Sequence, residues 1–311
     1  MEFVIEAENL SKTYGSFFWK QKKPALNKLN LQIPKGIIYG FLGPNGAGKT
    51  TTIKLIMDLI RPTEGKVLIF GKEPSDTELK KQLGFLPDYP AFSTYLTARE
   101  FLSICAKLLQ IPPLERSTRI EEVLDIVKMT KHADTKLGGF SRGMLQRIGI
   151  AQAILNKPSL LILDEPLTGL DPHGRQELMQ IISEQKKKGI NVFFSSHILY
   201  DVEKICDYIG ILNEGELLCS GPIESLLSES GARVHVKHGE NEIAHMLMDD
   251  ATGSVKLPDG SWDFVFPAKP EIKKKLEDFQ NKYPSSLTIT PSREKLEDFF
   301  FRKIENSKNI I

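Results

Sequence analysis

Eight residues near the start of the chain have the spacing of a phosphate-binding loop. They fit G-x-x-x-x-G-K-[ST], in which backbone N–H groups surround phosphate oxygens. The glycines permit close approach of the backbone, the lysine reaches the β- and γ-phosphates, and the threonine hydroxyl can bind Mg²⁺. The loop and the threonine after it supply the predicted nucleotide contacts Gly43, Pro44, Asn45, Gly46, Ala47, Gly48, Lys49, Thr50 and Thr51. This pattern predicts a nucleoside triphosphate site.

The residues around this loop predict the elements that position it. Residues 37–42 form a short apolar run, which indicates a buried strand entering the loop. Residues 50–60 place apolar side chains on a wide helical face, and Arg61 and Pro62 end that run. The helix N-terminus would face the phosphates, because its free N–H groups and dipole favour anions. For the eight residues taken alone, a glycine-rich loop without a ligand is the alternative.

Two adjacent carboxylates follow a second apolar run, Leu160–Leu163. The run is typical of a strand buried on both faces, where carboxylates are costly unless they serve an ion or a reaction. Asp164 suits Mg²⁺, usually through a water molecule, and Glu165 can polarise the water that attacks the γ-phosphate. A strand that simply ends in charged residues would be the better interpretation if the phosphate loop were absent.

Further segments follow in a fixed order around these motifs. Residues 10–15 read LSKTYG, 140–144 FSRGM, 168–172 TGLDP and 195–197 SSH. In this order the chain resembles the nucleotide-binding subunits of ATP-binding cassette (ABC) transporters over about its first 220 residues. The four segments stand where that family has its adenine-stacking aromatic residue, its Leu-Ser-Gly-Gly-Gln signature, its D-loop and its switch histidine. The additional site residues that the resemblance implies are Tyr14, Ser141, Gly143, Asp171 and His197.

The resemblance implies an α/β fold, a P-loop NTPase ABC cassette with a mixed sheet core and a helical subdomain at about 88–136. Two subunits would pack head to tail, each ATP lying between the loop of one and Ser141 and Gly143 of the other. Lys49, Glu165 and His197 would be the catalytic residues, with His197 orienting the lytic water. Asp171 would couple the two sites across the interface.

Two departures from the family pattern fall within the site. Asp88 stands where the family usually has Gln, so a metal ligand is retained but an amide donor is lost. In the signature, Arg142 and Met144 replace Gly and Gln. We expect a working site with slower turnover, in which Thr50, Asp88 and Asp164 bind Mg²⁺.

The remaining third of the chain predicts a smaller α+β domain. We expect the cassette at 1–222, a linker at 223–232 and the accessory domain at 233–311. Strands at 233–238, 254–257, 262–266 and 287–290 and helices at 242–248 and 271–283 give a β-α-β-β-α-β order, compatible with a ferredoxin-like fold. A last helix at 293–305 carries an aromatic stripe, interpreted as packing. The domain could dimerise, sense a ligand or stabilise a complex.

Histidines in this domain do not predict a metal site. His235 and His238 are an odd number of residues apart, so on one strand they would face opposite sides. Further ligands would also be needed, and His245 alone does not complete a set.

Composition limits the remaining interpretations. The 311 residues carry a formal charge of +1, which gives no reason to expect nucleic-acid binding. Basic runs at 20–23, 186–188 and 273–275 are interpreted as solvated faces, with membrane-surface contact as the minor alternative. The three cysteines lack metal-ligand spacing and indicate a reducing compartment. No secretory signal opens the sequence, and no apolar run reaches the roughly 18 residues of a membrane span.

We therefore expect the membrane helices of a transporter to come from a partner. That partner would be an integral membrane permease, joined by a second copy of this chain or a homologous ATP-binding subunit, at the cytoplasmic face of the cell membrane. Similar subunits of bacterial exporters carry C-terminal extensions, which favours export only by analogy. A soluble ABC ATPase acting on ribosomes or DNA is a rival, although such members usually have tandem cassettes or long coiled-coil insertions. A regulatory module that holds ATP without turnover is the third hypothesis.

Overall fold

The computed structural model describes residues 2–15, 24–227, 229–267 and 269–308. The predicted basic run at 20–23 lies outside these residues. The chain divides into two compact units, residues 1–223 and 224–311. No helix among the described residues is long and apolar enough to cross a bilayer.

The first unit contains nine strands and eight α-helices in the described part, the last helix extending into the second unit. The strands are β1 (Phe3–Lys12), β2 (Leu26–Pro34), β3 (Ile38–Leu42), β4 (Glu64–Ile69), β5 (Leu83–Leu86), β6 (Leu160–Leu163), β7 (Asn191–Ser196), β8 (Tyr208–Asn213) and β9 (Glu216–Pro222). The helices are α1 (Lys49–Ile56), α2 (Thr77–Lys80), α3 (Ala98–Leu108), α4 (Pro113–Ile126), α5 (Arg142–Ile154), α6 (Pro172–Lys187), α7 (Leu199–Ile205) and α8 (Ile223–Leu226).

The main sheet has the order β5-β6-β7-β3-β8-β9. Neighbouring strands are parallel except for the antiparallel pair β8 and β9. Every residue of β3, β6 and β7 is buried, as expected for strands covered on both faces. A second, antiparallel sheet has the order β2-β1-β4. The predicted mixed-sheet cassette is therefore confirmed.

Aromatic packing fixes the centre of the main sheet. The ring of Phe193 on β7 lies 5.7 Å from that of Tyr39 and 5.4 Å from that of Phe41, both on the neighbouring strand β3. All three side chains are fully buried. Because rings at these distances pack favourably as well as excluding water, β3 and β7 form a rigid base for the loops at their ends.

Helices α3 and α4 lie within the predicted helical subdomain, 88–136. Helix α3 begins with a reciprocal cap, in which the Thr97 hydroxyl accepts from the Glu100 N–H and the Glu100 carboxylate accepts from the Thr97 N–H. This cap satisfies two backbone donors that a helix start leaves unpaired.

The second unit contains β10 (Glu229–Val236), α9 (Asn241–Met248), β11 (Gly253–Lys256), β12 (Trp262–Pro267), α10 (Pro270–Lys282), β13 (Leu287–Arg293) and α11 (Leu296–Lys308). Its antiparallel sheet has the order β11-β12-β10-β13. Each helix that joins two strands therefore links strands separated by one other strand, which is the split β-α-β arrangement of the predicted ferredoxin-like pattern.

The predicted linker at 223–232 differs from the observed elements. Residues 223–226 form α8, and β10 already begins at Glu229. Gly231 and Ala232 pair with Pro267 and Phe266 of β12. The Ser- and Gly-containing sequence suggested a loop, but pairing to β12 and β13 extends the strand. Strand β10 also ends at Val236, so His238 lies beyond it and strand alternation does not determine the direction of its side chain.

Gly84 on β5 is predicted to be essential for the packing of α5 against the main sheet. A Cβ at this position would lie 2.1 Å from the carbonyl oxygen of Ala153 on α5. We expect Gly84→Ala to lower the melting temperature by about 2 to 12 °C, because an overpacked core costs about 1–3 kcal/mol. Gly139→Ala is the control, since a Cβ there has no atom within 4 Å. Equal melting temperatures of the two variants by circular dichroism would contradict this packing argument.

Candidate functional site

The predicted phosphate-binding loop connects β3 to α1. A Cβ at Gly43 would lie 2.4 Å from the Leu212 carbonyl oxygen, and one at Gly48 would lie 2.5 Å from that of Ala25. Gly48 also has a φ of +110° and stands at the N-cap of α1. Glycine is therefore required at both positions, and the loop lies tightly against the neighbouring backbone.

Lys49 is buried at the start of α1. Its Nζ donates to the carbonyl oxygens of Gly43 at 2.7 Å and Pro44 at 3.2 Å. The same Nζ lies 3.2 Å from Oε1 of Glu165. The lysine thus connects the loop to the carboxylate at the end of β6, where a positive charge can neutralise developing negative charge.

Glu165 is held by several neighbours. Its backbone has the left-handed φ of +49°, and its N–H donates to Oγ of Ser195 at 2.9 Å. Its Oε2 lies 2.8 Å from Nδ1 of His197 and accepts from the Thr168 hydroxyl at 3.0 Å. The structure therefore brings together Lys49, Glu165 and His197, the three predicted catalytic residues.

Asp164 lies beside Glu165 and is also buried. Burial raises the pKa of its carboxyl, while hydrogen bonds from Ser195 and Thr50 act in the opposite direction. The Ser195 hydroxyl donates to Oδ1 at 2.6 Å. Thr50 and Asp164 are thus adjacent, as a shared Mg²⁺ site requires.

Asp88 follows β5 and reaches the same site. Its Oδ1 is buried and has no hydrogen-bond partner among the described residues. Burial raises the pKa of this carboxyl, and the charges of Asp164 and Glu165 raise it further, against smaller effects of Arg142 and His197. An unpaired buried carboxylate oxygen is costly unless a cation or donor approaches it.

Several of these side chains line a cavity of about 360 Å³. Its lining residues are Ala25, Asn45, Gly46, Gly48, Lys49, Thr50, Thr51, Asp88, Tyr89, Glu165, Thr168 and His197. Hydroxyl and carboxylate oxygens from Thr50, Asp88 and Asp164 are the donor type that Mg²⁺ prefers. No group of three or more His, Cys, Asp or Glu side chains arranged for a metal occurs in the described ranges. The donors present fit Mg²⁺, because this ion commonly uses one or two carboxylates together with substrate phosphates and water.

Three other predicted residues lie away from this cavity. Ser141, Gly143 and Asp171 line a separate depression of about 370 Å³. Ser141 caps α5 by accepting from the Met144 N–H at 3.3 Å, and Asp171 caps α6 by accepting from the Gly174 N–H at 2.9 Å. Within one chain, these residues do not complete the cavity that contains Lys49 and Glu165.

Three more predicted contacts differ in exposure and position. Tyr14 is 45% exposed, and its hydroxyl lies 3.4 Å from the Thr51 hydroxyl, at the edge of the loop. Ala47 is buried and its N–H donates to Pro44 O at 3.2 Å. Pro44 and Ala47 therefore shape the loop, and Tyr14 stands where an aromatic ring could cover a nucleotide bound to it.

Ser195, Thr168 and Tyr89 are site residues that the sequence alone did not predict. Ser195 accepts from the backbone N–H of Glu165 and donates to the Asp164 carboxylate, so one buried hydroxyl links the main chain at Glu165 to the side chain of Asp164. The sequence feature that could have indicated Ser195 is a small polar residue near the end of the otherwise apolar strand β7. Tyr89 offered no comparable signal, because its neighbourhood depends on the folded loop.

The raised pKa of Asp164 predicts a pH-dependent stability. A carboxyl whose pKa rises on folding makes the folded state less stable as pH rises above the unfolded value, and this cost persists at neutral pH. We expect Asp164→Asn, without nucleotide, to melt at a higher temperature than the wild type at pH 7, with a smaller difference near pH 4. The measurement is differential scanning calorimetry across this range.

Asp76→Asn is the control of opposite sign. Asp76 caps α2, and its pKa is lowered by the hydrogen bond from the Leu79 N–H. Its substitution should decrease the melting temperature more at pH 7 than near pH 4. Parallel behaviour of both variants would contradict the assigned environment of Asp164.

Comparison with known proteins assigns this geometry to a family. The family model described as "ABC transporter" matches residues 26–168. An uncharacterised ABC transporter ATP-binding protein of Nostoc sp. is 40% identical, with 97% of this chain and 90% of that protein aligned. The bacitracin transport ATP-binding protein BcrA of Bacillus licheniformis is 36% identical, with 98% of each aligned. A dimeric ATP-binding cassette solved with ADP and Pi superposes with a TM-score of 0.64 at 26% identity, covering 70% of this chain and 98% of that one. The chain therefore belongs to the ATP-binding subunits of ABC transporters.

Proposed function

We propose that this chain hydrolyses ATP to drive transport through a separate membrane permease. The observation that carries the proposal is the contact of Glu165 with both Lys49 and His197 beside the phosphate-binding loop. Such a grouping supplies a base, a neutralising cation and a positioned imidazole within one cavity.

ATP would bind with its phosphates in the loop between Gly43 and Thr50. The loop N–H groups and the N-terminus of α1 favour the phosphate charge, and Tyr14 would stack on the adenine. Thr50, Asp164 and Asp88 would hold Mg²⁺, which when bound neutralises phosphate charge and aligns the β- and γ-phosphates.

Glu165 would act as the general base towards the attacking water. Its Oε2 already accepts from Thr168 and contacts His197, so the carboxylate has one orientation relative to the cavity. His197 would contact the γ-phosphate, and Lys49 would bind the phosphate oxygens. Because phosphoryl transfer depends mainly on positioning and charge, these two residues contribute as much as the base.

A second copy of the chain, or a homologous subunit, would complete the site. Ser141, Gly143 and Asp171 line a depression separate from the Lys49 cavity, which supports a role towards the nucleotide of a partner. The related cassette solved as a dimer with ADP and Pi supports the same assembly. ATP would then stabilise the closed dimer by bridging both subunits, and hydrolysis would remove the bridging phosphoryl group.

The surface near the helical subdomain supports a membrane partner. Tyr89 is 78% exposed and Tyr95 is 83% exposed, both between β5 and α3. Exposed aromatic residues of this kind are favoured at protein interfaces, so this segment would receive a cytoplasmic helix of the permease. A linearmycin resistance ATP-binding protein of Bacillus subtilis is among the relatives, and resistance to an antibiotic supports export as the direction. The cassette, residues 1–223, and the accessory domain, residues 224–311, would lie at the cytoplasmic face of the membrane.

Glu165→Gln tests the catalytic assignment. Loss of a general base should reduce ATP turnover by about 10²- to 10⁴-fold while nucleotide binding persists. The measurement is ATP hydrolysis by detergent-extracted complexes purified through a tag on this chain, with mass spectrometry of the proteins that co-purify. Glu184→Gln on α6 is the matched control and should keep wild-type turnover. Unchanged turnover in Glu165→Gln would overturn the base assignment, and co-purified ribosomal or DNA-associated proteins without a permease would favour a soluble ATPase.

Ser141→Asp tests the role of the second subunit. Aspartate keeps the helix cap, but its charge would oppose a γ-phosphate placed across the interface. In a Glu165→Gln background, we expect ATP to produce dimers of the parent and of Ser141→Asn but not of Ser141→Asp, measured by sedimentation. ATP-dependent dimers of Ser141→Asp at parental affinity would contradict this interface.

A further inference from the structure

Arg142 lies between two segments of its own chain. Its guanidinium carbon lies 5.9 Å from the ring centre of Tyr89, a distance at which a cation is attracted to an aromatic face. On another side, a Cβ at Gly169 would lie 2.6 Å from this guanidinium carbon. The first residue of α5 thus contacts the segments that follow β5 and β6.

Both of these segments supply lining residues to the nucleotide cavity. Tyr89 lines the cavity together with Asp88, and Gly169 follows Thr168, which also lines it. The Thr168 hydroxyl donates to the Glu165 carboxylate. A side chain that fixes Tyr89 relative to Gly169 therefore fixes two walls of the cavity and one hydrogen bond of Glu165.

The charge of Arg142 also acts on this cavity. Asp88, Asp164 and Glu165 place three carboxylates close together, and the Asp88 Oδ1 has no hydrogen-bond partner in the described residues. Arg142 brings a positive charge close to this group, because its guanidinium contacts Tyr89, the residue that follows Asp88. Without this cation, the cavity would repel a triphosphate more strongly.

We propose that Arg142 is a positioning residue for the nucleotide cavity of its own subunit. Its guanidinium holds the Asp88–Tyr89 and Thr168–Gly169 segments together and offsets the charge of Asp88. Asp88 and Arg142, which carry opposite charges, are both positions at which the chain departs from the family pattern. This inference rests on the proposed function, because it concerns the same nucleotide site.

In the competing interpretation, Arg142 is a solvated cation that acts only towards a second subunit, since it is exposed and follows Ser141. The two interpretations predict different nucleotide affinities for a monomeric Arg142 variant. A cis role changes nucleotide affinity without a partner, whereas a trans role requires the dimer.

The test uses the full chain at a concentration at which sedimentation shows a monomer. Affinity for trinitrophenyl-ATP is measured by fluorescence in EDTA, so that metal binding by Asp88 does not contribute. The variants are Arg142→Gln, Asp88→Asn and the double substitution. Lys187→Gln removes the same charge from an exposed position on α6 and is the matched control.

We expect Arg142→Gln to weaken binding about two- to fivefold, the range for an exposed charge interaction, and Lys187→Gln to have no effect. Asp88→Asn should restore the affinity of Arg142→Gln, and 0.5 M salt should reduce the difference between wild type and Arg142→Gln. Arg142→Lys, which keeps the charge but not the planar contact, should lie between wild type and Arg142→Gln.

Three results would overturn the inference. The first is wild-type nucleotide affinity of monomeric Arg142→Gln. The second is an equal loss of affinity in Arg142→Gln and in its double variant with Asp88→Asn, and the third is a loss of affinity that occurs only in the dimer. Thermal unfolding of each variant shows whether a loss of nucleotide affinity is caused by misfolding. If Arg142→Gln is misfolded, Arg142→Lys and the rescue of its affinity by Asp88→Asn decide the outcome. Failure of the wild type to bind nucleotide would instead refute the proposed function, so the two failures are distinguishable.

Discussion

Crowding of the carboxylates of Asp88, Asp164 and Glu165 in a partly buried site is the constraint around which the nucleotide cavity is arranged. Burial raises the pKa of Asp88 and of Asp164, and neighbouring carboxylates raise both further. Such a cluster lowers stability unless cations and donors surround it. The ion pair between Glu165 and Lys49 and the hydroxyl of Ser195 supply part of this compensation. The remaining deficit of positive charge and hydrogen-bond donors is what makes the cavity suited to Mg²⁺.

The parallel sheet explains why these groups meet although they are far apart in sequence. Strands β5, β6, β7 and β3 are adjacent and run in the same direction, so their carboxyl ends share one edge. Asp88, Asp164, His197 and the phosphate-binding loop each follow one of these ends. Buried aromatic packing of Phe193 against Tyr39 and Phe41 keeps two of the strands in register. The rigid sheet therefore holds these site residues in defined positions.

The local sequence alone predicted those elements in which the hydrophobic pattern and the side-chain chemistry indicate the same structure. The loop between β3 and α1 and the carboxylates after β6 follow from glycine spacing and apolar runs, and the β-α-β-β-α-β order of the second unit follows from its periodicity. The start of β10 at Glu229 could not be predicted, because pairing to other strands decided it. The positions of Ser195 and Tyr89 likewise depend on contacts across long sequence distances, whereas Thr168 contacts Glu165 only three residues away. Resemblance to a family supplied the roles of Ser141 and Asp171, which their helix-capping geometry alone would not suggest.

The site residues of one chain form two separate sets, and this separation relates the proposed ATP chemistry to the association of two subunits. Lys49, Glu165 and His197 share one cavity, whereas Ser141, Gly143 and Asp171 line another. If ATP contacts both sets, its binding free energy contributes to association of two subunits, and loss of the γ-phosphate removes that contribution. A ligand can shift an equilibrium only by its difference in affinity for the two states. In the proposed dimer, incompleteness of the site in the single chain would be the physical basis on which hydrolysis drives opening of the dimer, and with it the movement of a membrane partner.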